Sequence, residues 1–321
     1  MEKLETKSQD VLTVNNLKVT FHTYAGDVKA LDGVELSVRK GELLGLVGES
    51  GCGKSTLGRI ILGLEPPTEG RILFDGDDLV SMNGEKLHRL RRRMQIIFQD
   101  PYSSLNPRQS VGRIIGEGLV IHKIGTPAER KERVRRIMEV VGLRPENVNR
   151  YPHEFSGGQR QRIGIARALA INPELVICDE AVSALDVSIQ AQIINLLRDL
   201  QRAHGLTYIF IAHDLSVVEF ISDRILVMYL GRVVEEAPKR DLVARRLHPY
   251  TQALFEASPV LDPDLRGRRT AVSGDLPSPI DPRRGCHFHP RCPHATDRCR
   301  EQYPERREVA PGHFASCHLI P

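Results

Sequence analysis

The chain has no tryptophan, and aromatic residues make up only 5% of its 321 positions. Its cores must therefore be built mainly from aliphatic side chains. Long apolar runs are also absent. Stretches such as residues 206–212 and 225–230 fall far short of the ~20 residues that a membrane-spanning helix needs. The opening residues, MEKLETKSQD, contain no apolar signal core. The chain is thus expected not to cross a membrane itself, and service to a membrane would require docking onto other subunits. Excess charge is small, at +4, which is too slight to argue for nucleic acid. Basic runs at residues 88–93, 130–136 and 266–269 read as solvated faces. There are only six cysteines and no Cys-x-x-Cys pair, which counts against a zinc ribbon. What remains is ordinary globular composition, 40% hydrophobic and 27% charged, with room for one large domain plus an extension or for two domains.

The most informative segment is GESGCGKST, residues 48–56, directly after the apolar run at residues 43–47. Glycines there let the backbone bend close to a ligand, so that successive N–H groups point at phosphate oxygens. A helix starting near Gly53 adds its positive dipole end and unpaired N–H groups. The segment comprises Gly48, Glu49, Ser50, Gly51, Cys52, Gly53, Lys54, Ser55 and Thr56, and it predicts a nucleotide phosphate loop. In it Lys54 reaches the β- and γ-phosphates and the Ser55 hydroxyl helps hold Mg²⁺.

Patterns elsewhere organise the chain. Residues 11–21, 33–38 and 71–74 alternate as strands, and residues 94–98 form another that ends at Gln99. Residues 110–141 are helical by pattern, with Thr126, Pro127 and Glu129 marking a capping box and Gly142 a stop. Strands and helices then alternate through residues 186–204, 208–212 and 214–221, which argues for a parallel α/β core. After about residue 236 the chain turns to Pro, Arg, His and Cys with little periodicity.

Five elements in order, GESGCGKST, FSGGQ (155–159), LVICDE (175–180), SALD (183–186) and the His213-Asp214 pair, resemble the nucleotide-binding subunit of ATP-binding cassette (ABC) proteins over roughly residues 11 to 240. One departure is Phe155, where the family more often has leucine; both are apolar packing residues. The resemblance implies a parallel-sheet phosphate-loop core, an antiparallel β lobe and an inserted helical lobe at about residues 100–165. Together these make an ABC ATPase domain over residues 1–236, followed by a small Cys-rich extension, 237–321. It casts Asp179 as a Mg²⁺ ligand and Glu180 as the residue polarising the attacking water. Gln99 and His213 become sensors of Mg²⁺, water and γ-phosphate, with Phe21 or Tyr24 stacking on adenine. Ser156, Gly157, Gly158 and Gln159 would bind the γ-phosphate held by a facing subunit. Two ATP molecules would then glue a head-to-tail dimer that closes on binding and opens after hydrolysis.

FQDPYSSLNPR (98–108), ICDEAVSALDVS (177–188), HPYTQAL (248–254) and a cysteine-bearing tail are similar to oligopeptide and dipeptide importer subunits, of the second ATPase type. That implies a paralogous ATPase partner (a homodimer being the alternative), two integral membrane permease subunits and an extracytoplasmic solute-binding protein. It places the chain peripherally on the cytoplasmic face of the cell membrane, with no nucleic acid bound. A soluble ABC ATPase acting on DNA or the ribosome is the rival. DNA-repair types insert long coiled coils, whereas only 56 residues separate Gln99 from Ser156, and ribosome-acting types carry two cassettes where this chain has a single GKST.

Cys52 and Cys178 lie in the phosphate loop and a buried strand, while Cys286, Cys292, Cys299 and Cys317 crowd the tail with gaps of five, six and seventeen residues. A cytosolic chain should not keep disulfides, so the four read as a metal site, Zn²⁺ or iron–sulfur, or as unpaired thiols. The importer resemblance favours a [4Fe–4S] cluster. His287, His289 and His294 are nearby competitors. The site would staple a segment too poor in apolar residues to build its own core.

Overall fold

Apolar alternation at the start of the chain produces a long hairpin, β1 (Asp10–Thr23) and β2 (Gly26–Arg39), with Leu12, Val14, Leu17 and Val19 buried. The structure, a computed structural model, describes residues 10–257, 280 and 285–320; the basic run at 266–269 lies outside them. Next come the fully buried β3 (Leu43–Val47), α1 (Lys54–Ile61), β4 (Glu69–Phe74), β5 (Asp77–Asp78), α2 (Gly84–Arg93) and β6 (Met94–Ile97). Three helices follow, α3 (Val111–Ile121), α4 (Pro127–Val140) and α5 (Gly157–Leu169). Strands and helices then alternate as β7 (Leu175–Asp179), α6 (Val187–His204), β8 (Thr207–Ala212), α7 (Leu215–Ile221), β9 (Arg224–Tyr229) and β10 (Arg232–Pro238). The remainder holds α8 (Lys239–Ala244), α9 (Pro249–Ala257), α10 (Asp297–Glu301), β11 (Arg307–Ala310) and β12 (His313–Ala315).

The described residues divide into two compact units, one within Met1–Arg39, Leu43–Val80 and Ile211–Pro321, the other within Lys40–Glu42 and Ser81–Phe210. The first contains an antiparallel sheet of order β2-β1-β4-β5. It also contains strands in the order β11-β12-β10-β9-β3, of which β3 and β9 run parallel and the others antiparallel. In the second unit β6 and β7 are parallel neighbours, and Ile163, Ile165, Ile177, Ile193 and Leu197 make an aliphatic core. Its helix ends follow the sequence signals. Thr126 Oγ1 accepts from Glu129 N–H while the Glu129 carboxylate accepts from Thr126 N–H, the reciprocal box expected at α4. Gly142 (φ 75°) and Gly205 (φ 62°) stop α4 and α6 in the left-handed region that glycine enters without penalty.

The extension has more order than its weak periodicity predicts. β12 pairs with β10 through Glu235↔Ala315 and Glu236↔Phe314, and β11 adds to β12. Both carboxylates of β10 are buried and therefore need partners. Glu235 accepts from the Leu247 (2.8 Å) and His248 (2.9 Å) N–H groups and from His313 Nε2 (2.9 Å). Glu236 is paired with Arg224 and, at 2.6 Å, with Arg306. Phe288 packs edge-on against Tyr229, centroids 5.3 Å apart, and beside Tyr250. The extension thus shares a core with the first unit.

His248 is a consequence of that packing. Its Nδ1 accepts from Tyr250 N–H at 3.0 Å, so the ring is held neutral, and burial pushes its pKa down from 6.5 to about 4 although Glu235 opposes the shift. A depressed native pKa means that the unfolded chain takes the proton first. The stability is fully present above pH 6.5 and is lost as pH falls to about 4, amounting to about 3 kcal/mol from this group. His248→Asn keeps an acceptor for Tyr250 N–H without a titrating ring. Urea midpoints between pH 7 and 4 should fall less steeply in that variant than in the wild type; equal slopes would place the titration elsewhere.

Candidate functional site

The first unit carries the phosphate loop. It leaves the buried β3 at Gly48, where a Cβ would lie 2.2 Å from the Met228 carbonyl, so only glycine fits. At Gly53 the backbone (φ 103°) disfavours a side chain, and a Cβ would lie 2.4 Å from the Ala30 carbonyl. α1 begins at Lys54, whose stem is buried and whose Nζ donates to the carbonyls of Gly48 (2.8 Å) and Glu49 (2.9 Å). The ammonium is thus held within the loop's own curve. Cys52 is buried and its N–H donates to Glu49 O at 3.3 Å; burial raises its thiol pKa, against the pull of Lys54. Ser50 and Gly51 are exposed, and Ser55 and Thr56 half-buried in the first turn of α1. His213 is exposed directly after β8, and its neighbour Asp214 caps α7 by accepting from Ser216 N–H at 2.9 Å. Of the two aromatics considered for adenine, Tyr24 stands fully exposed at the β1–β2 turn and Phe21 is 41% exposed within β1.

The second unit carries the acidic half. β7 is buried through Cys178 and emerges at half-buried Asp179 and Glu180. Glu180 is held at φ 47°, a conformation that costs a non-glycine residue of order 1 kcal/mol and that clusters at functional sites. Its carboxylate accepts from Gln99 Nε2 at 2.8 Å, so two residues that the sequence singles out separately meet here. Ser183 completes the group: its Oγ donates to Glu180 O at 3.0 Å and accepts from Gln99 Nε2 at 3.3 Å. In the sequence Ser183 is only the first letter of SALD, with no role of its own. Its place three residues after Glu180, where a turn returns a hydroxyl to a carbonyl, is the signal that points to it.

The signature segment is also in the second unit. Ser156 caps α5, its Oγ accepting from Gln159 N–H (3.4 Å) while Gln159 Oε1 accepts from Ser156 N–H (3.0 Å). This second capping box is missing from the sequence expectations, although Ser-x-x-Gln spells it. Gly158 fits closely, since a Cβ there would meet Ile189 at 2.5 Å, and Ser156, Gly157 and Gln159 are exposed at the helix N-terminus. Exposed N–H groups at the positive end of a helix suit an anion from outside.

In the tail the Cys286 thiol is pushed up to about 11, chiefly by burial and also by Cys299, Cys317 and Cys292, which lie within its electrostatic reach. The N–H groups of Phe288, His294 and Leu319 oppose this at Cys286, Cys292 and Cys317 by favouring the thiolate. Thr296 Oγ1 lies 3.3 Å from Cys299 Sγ. Four soft donors, three of them with amide hydrogen bonds, suit a metal that binds thiolates. Among the described residues, however, no group of three or more Cys, His, Asp or Glu is gathered as ligands around one point. His287 and His289 are turned to the carbonyls of Leu230 (3.3 Å) and Cys286 (2.8 Å).

Known proteins agree with this architecture. The ABC transporter family model matches residues 31–183, and the model for the oligopeptide/dipeptide transporter C-terminal region matches residues 234–299. The oligopeptide transport ATP-binding protein AppF of Bacillus subtilis is 56% identical over 302 residues, covering 93% of this chain and 92% of its own. Among solved structures, the ATP-binding cassette MJ0796, a dimer in a post-hydrolysis state bound to ADP and Pi, matches with a TM-score of 0.66 at 31% identity, over 71% of this chain and 99% of that one. The protein cbiO1 from Clostridium perfringens, part of the ABC transporter complex cbiONQ, matches with a TM-score of 0.66 at 30% identity, over 74% and 92% of the two chains. With an intact phosphate loop, an acidic strand end and a signature helix in the family's order, the chain belongs to the ATP-hydrolysing ATP-binding proteins of the ABC transporter family.

Proposed function

We propose that this chain powers peptide uptake as one of two ATPase subunits beneath an ABC importer's permeases. The observation that carries the reading is Glu180, held in a strained backbone with its carboxylate fixed by Gln99. A degenerate cassette would have no need to maintain that arrangement. In this reading Lys54, Ser55, Asp179, Glu180 and Gln99 each keep the role that the family resemblance gives them. Asp179, Ser55 and Gln99 hold Mg²⁺, Glu180 orients and polarises water, and His213 contacts the γ-phosphate. Ser156 to Gln159 reach the nucleotide of the facing cassette. Resemblance to peptide-transport relatives along nearly the whole chain supports the substrate class.

Among the described residues no helix is long and apolar enough to cross a membrane, so the proposed place is peripheral, on the cytoplasmic face, bound to permease subunits. Mild detergent extraction of the native membrane should bring this chain out with two integral membrane proteins and a second, distinct ATPase chain. Extraction as a lone protein, or with ribosomes or DNA, would remove the importer reading.

For the tail we propose a [4Fe–4S] cluster held by Cys286, Cys292, Cys299 and Cys317. The chemistry of the donor set supports it: four neighbouring thiols repel one another as thiolates until a cationic centre is present, and amide hydrogen bonds to the sulfurs favour the bound form. When bound, the cluster would cross-link the tail by metal–thiolate bonds. Protein purified without oxygen should be brown and hold about four irons per chain. Colourless protein with one zinc, or with no metal, would overturn the assignment.

A further inference from the structure

Glu49 is the second residue of the phosphate loop, and each of its polar groups has a partner. Its N–H donates to Tyr250 Oη at 2.8 Å, and its carbonyl accepts from Lys54 Nζ at 2.9 Å. Its carboxylate accepts a two-pronged pair from Arg291, at 2.8 and 2.9 Å. Two of these three partners come from the chain beyond residue 236. Arg291 ends a single helical turn, His289–Arg291, and its N–H donates to Phe288 O at 3.0 Å. Phe288 is itself wedged between Tyr229 and Tyr250. The guanidinium also donates to Tyr229 Oη at 3.4 Å, and only 6% of its side chain is exposed, against 25% for Glu49. Arginine's rigid fork is suited to such a fixed, planar grip on a carboxylate.

The carboxylate itself is chemically out of place. A phosphate loop gathers N–H dipoles and one ammonium to receive a polyanion, and an unpaired carboxylate on the same short loop would oppose that positive field. Its electrostatic cost would be large in a partly desolvated site. An ion pair of this kind is weak evidence for stability alone, since desolvation offsets much of its attraction.

We propose that Arg291 is a positioning residue for ATP binding: it neutralises and fixes Glu49, so that the phosphate loop keeps Lys54 as a net positive charge and the C-terminal extension becomes part of the nucleotide site. The proposal rests on residues 48–56 holding the phosphates. It predicts an effect on ATP affinity and little on turnover, because Arg291 does not touch the reacting atoms.

The test uses the full-length chain and the variants Arg291→Ala, Glu49→Gln and the double variant, with Lys54→Ala as reference. A fluorescent ATP analogue gives Kd, steady-state kinetics give KM and kcat, and thermal melting reports folding. Arg291→Ala should raise Kd and KM about tenfold, with kcat at saturating ATP within about twofold of wild type. Adding Glu49→Gln should return Kd to within about threefold of wild type, because the offending charge is gone even though the clamp remains broken. Glu49→Gln alone should bind ATP at least as tightly as wild type, a result that serves if Arg291→Ala fails to fold. Unchanged affinity in Arg291→Ala would overturn the proposal. So would a loss that the double variant does not rescue, with melting lowered equally in both, since that is the behaviour of a mere staple. Wild-type ATP affinity in Lys54→Ala would remove the phosphate-loop reading, and the proposal with it.

Discussion

Glu180→Gln should lower ATP turnover ~10²–10⁴-fold, the usual contribution of a positioned base, while leaving ATP binding intact. The substitution preserves size and leaves an amide oxygen that can still accept from Gln99 Nε2, so the 2.8 Å contact need not be lost. It also leaves the backbone turn alone, since Ser183 is held by the Glu180 carbonyl and not by its side chain. What disappears is the negative charge that draws a proton from water. Binding without hydrolysis should trap the closed pair of cassettes, seen as an ATP-dependent dimer by size-exclusion chromatography when the paired cassette is supplied. Adding Ser156→Arg to the same chain should abolish that dimer without changing the chain's own ATP Kd, because the signature helix serves the facing nucleotide. Normal turnover in Glu180→Gln would mean that another residue is the base.

The parts of this molecule that are legible in the sequence share a physical property: each is specified by residues close together along the chain. The phosphate loop is one short run whose glycines are required by local backbone angles and by the nearness of Met228 and Ala30 carbonyls. The Thr126–Glu129 box and the stop at Gly142 are settled within a single helical turn. The meeting of Gln99 with Glu180 spans 81 residues, yet it can be anticipated because both end adjacent parallel strands whose apolar patterns are plain.

Pairings of another kind cannot be read. Arg291 and Glu49 are 242 residues apart, and nothing in the periodicity of either segment refers to the other. β11 and β12 are four and three residues long, too short for alternation to emerge. Their register is set by buried carboxylates on β10 that look, in sequence, like an ordinary exposed Glu235-Glu236 pair. Sequence alone thus makes the extension a stapled appendage, whereas Phe288, His313 and Arg306 make it complete the first unit's polar and aromatic interior. Ser183 escapes notice for a milder reason: serine in a turn is common, and only the position of Gln99 gives this one a second bond.

Lys54→Ala should reduce kcat/KM for ATP ~10²–10³-fold, comparable to removing one preorganised donor from a charge-stabilising site. Nζ donates to the Gly48 and Glu49 carbonyls, so the lysine curls back into the loop and its charge is placed before any ligand arrives. Little side-chain entropy remains to be lost on binding, which favours affinity. Alanine would also take the ammonium's hydrogen bond from the Gly48 carbonyl and leave the Glu49 carbonyl with only the Cys52 N–H, at about 1 kcal/mol for each bond lost, so some loss of stability is expected beside the loss of function. Lys54→Met separates the two effects, because it keeps the buried stem's packing while removing the charge. If Lys54→Met melts within a few degrees of wild type but binds ATP as poorly as Lys54→Ala, the charge is what the site needs. If Lys54→Met retains wild-type affinity and turnover, the phosphates must be held elsewhere, and the assignment of residues 48–56 fails.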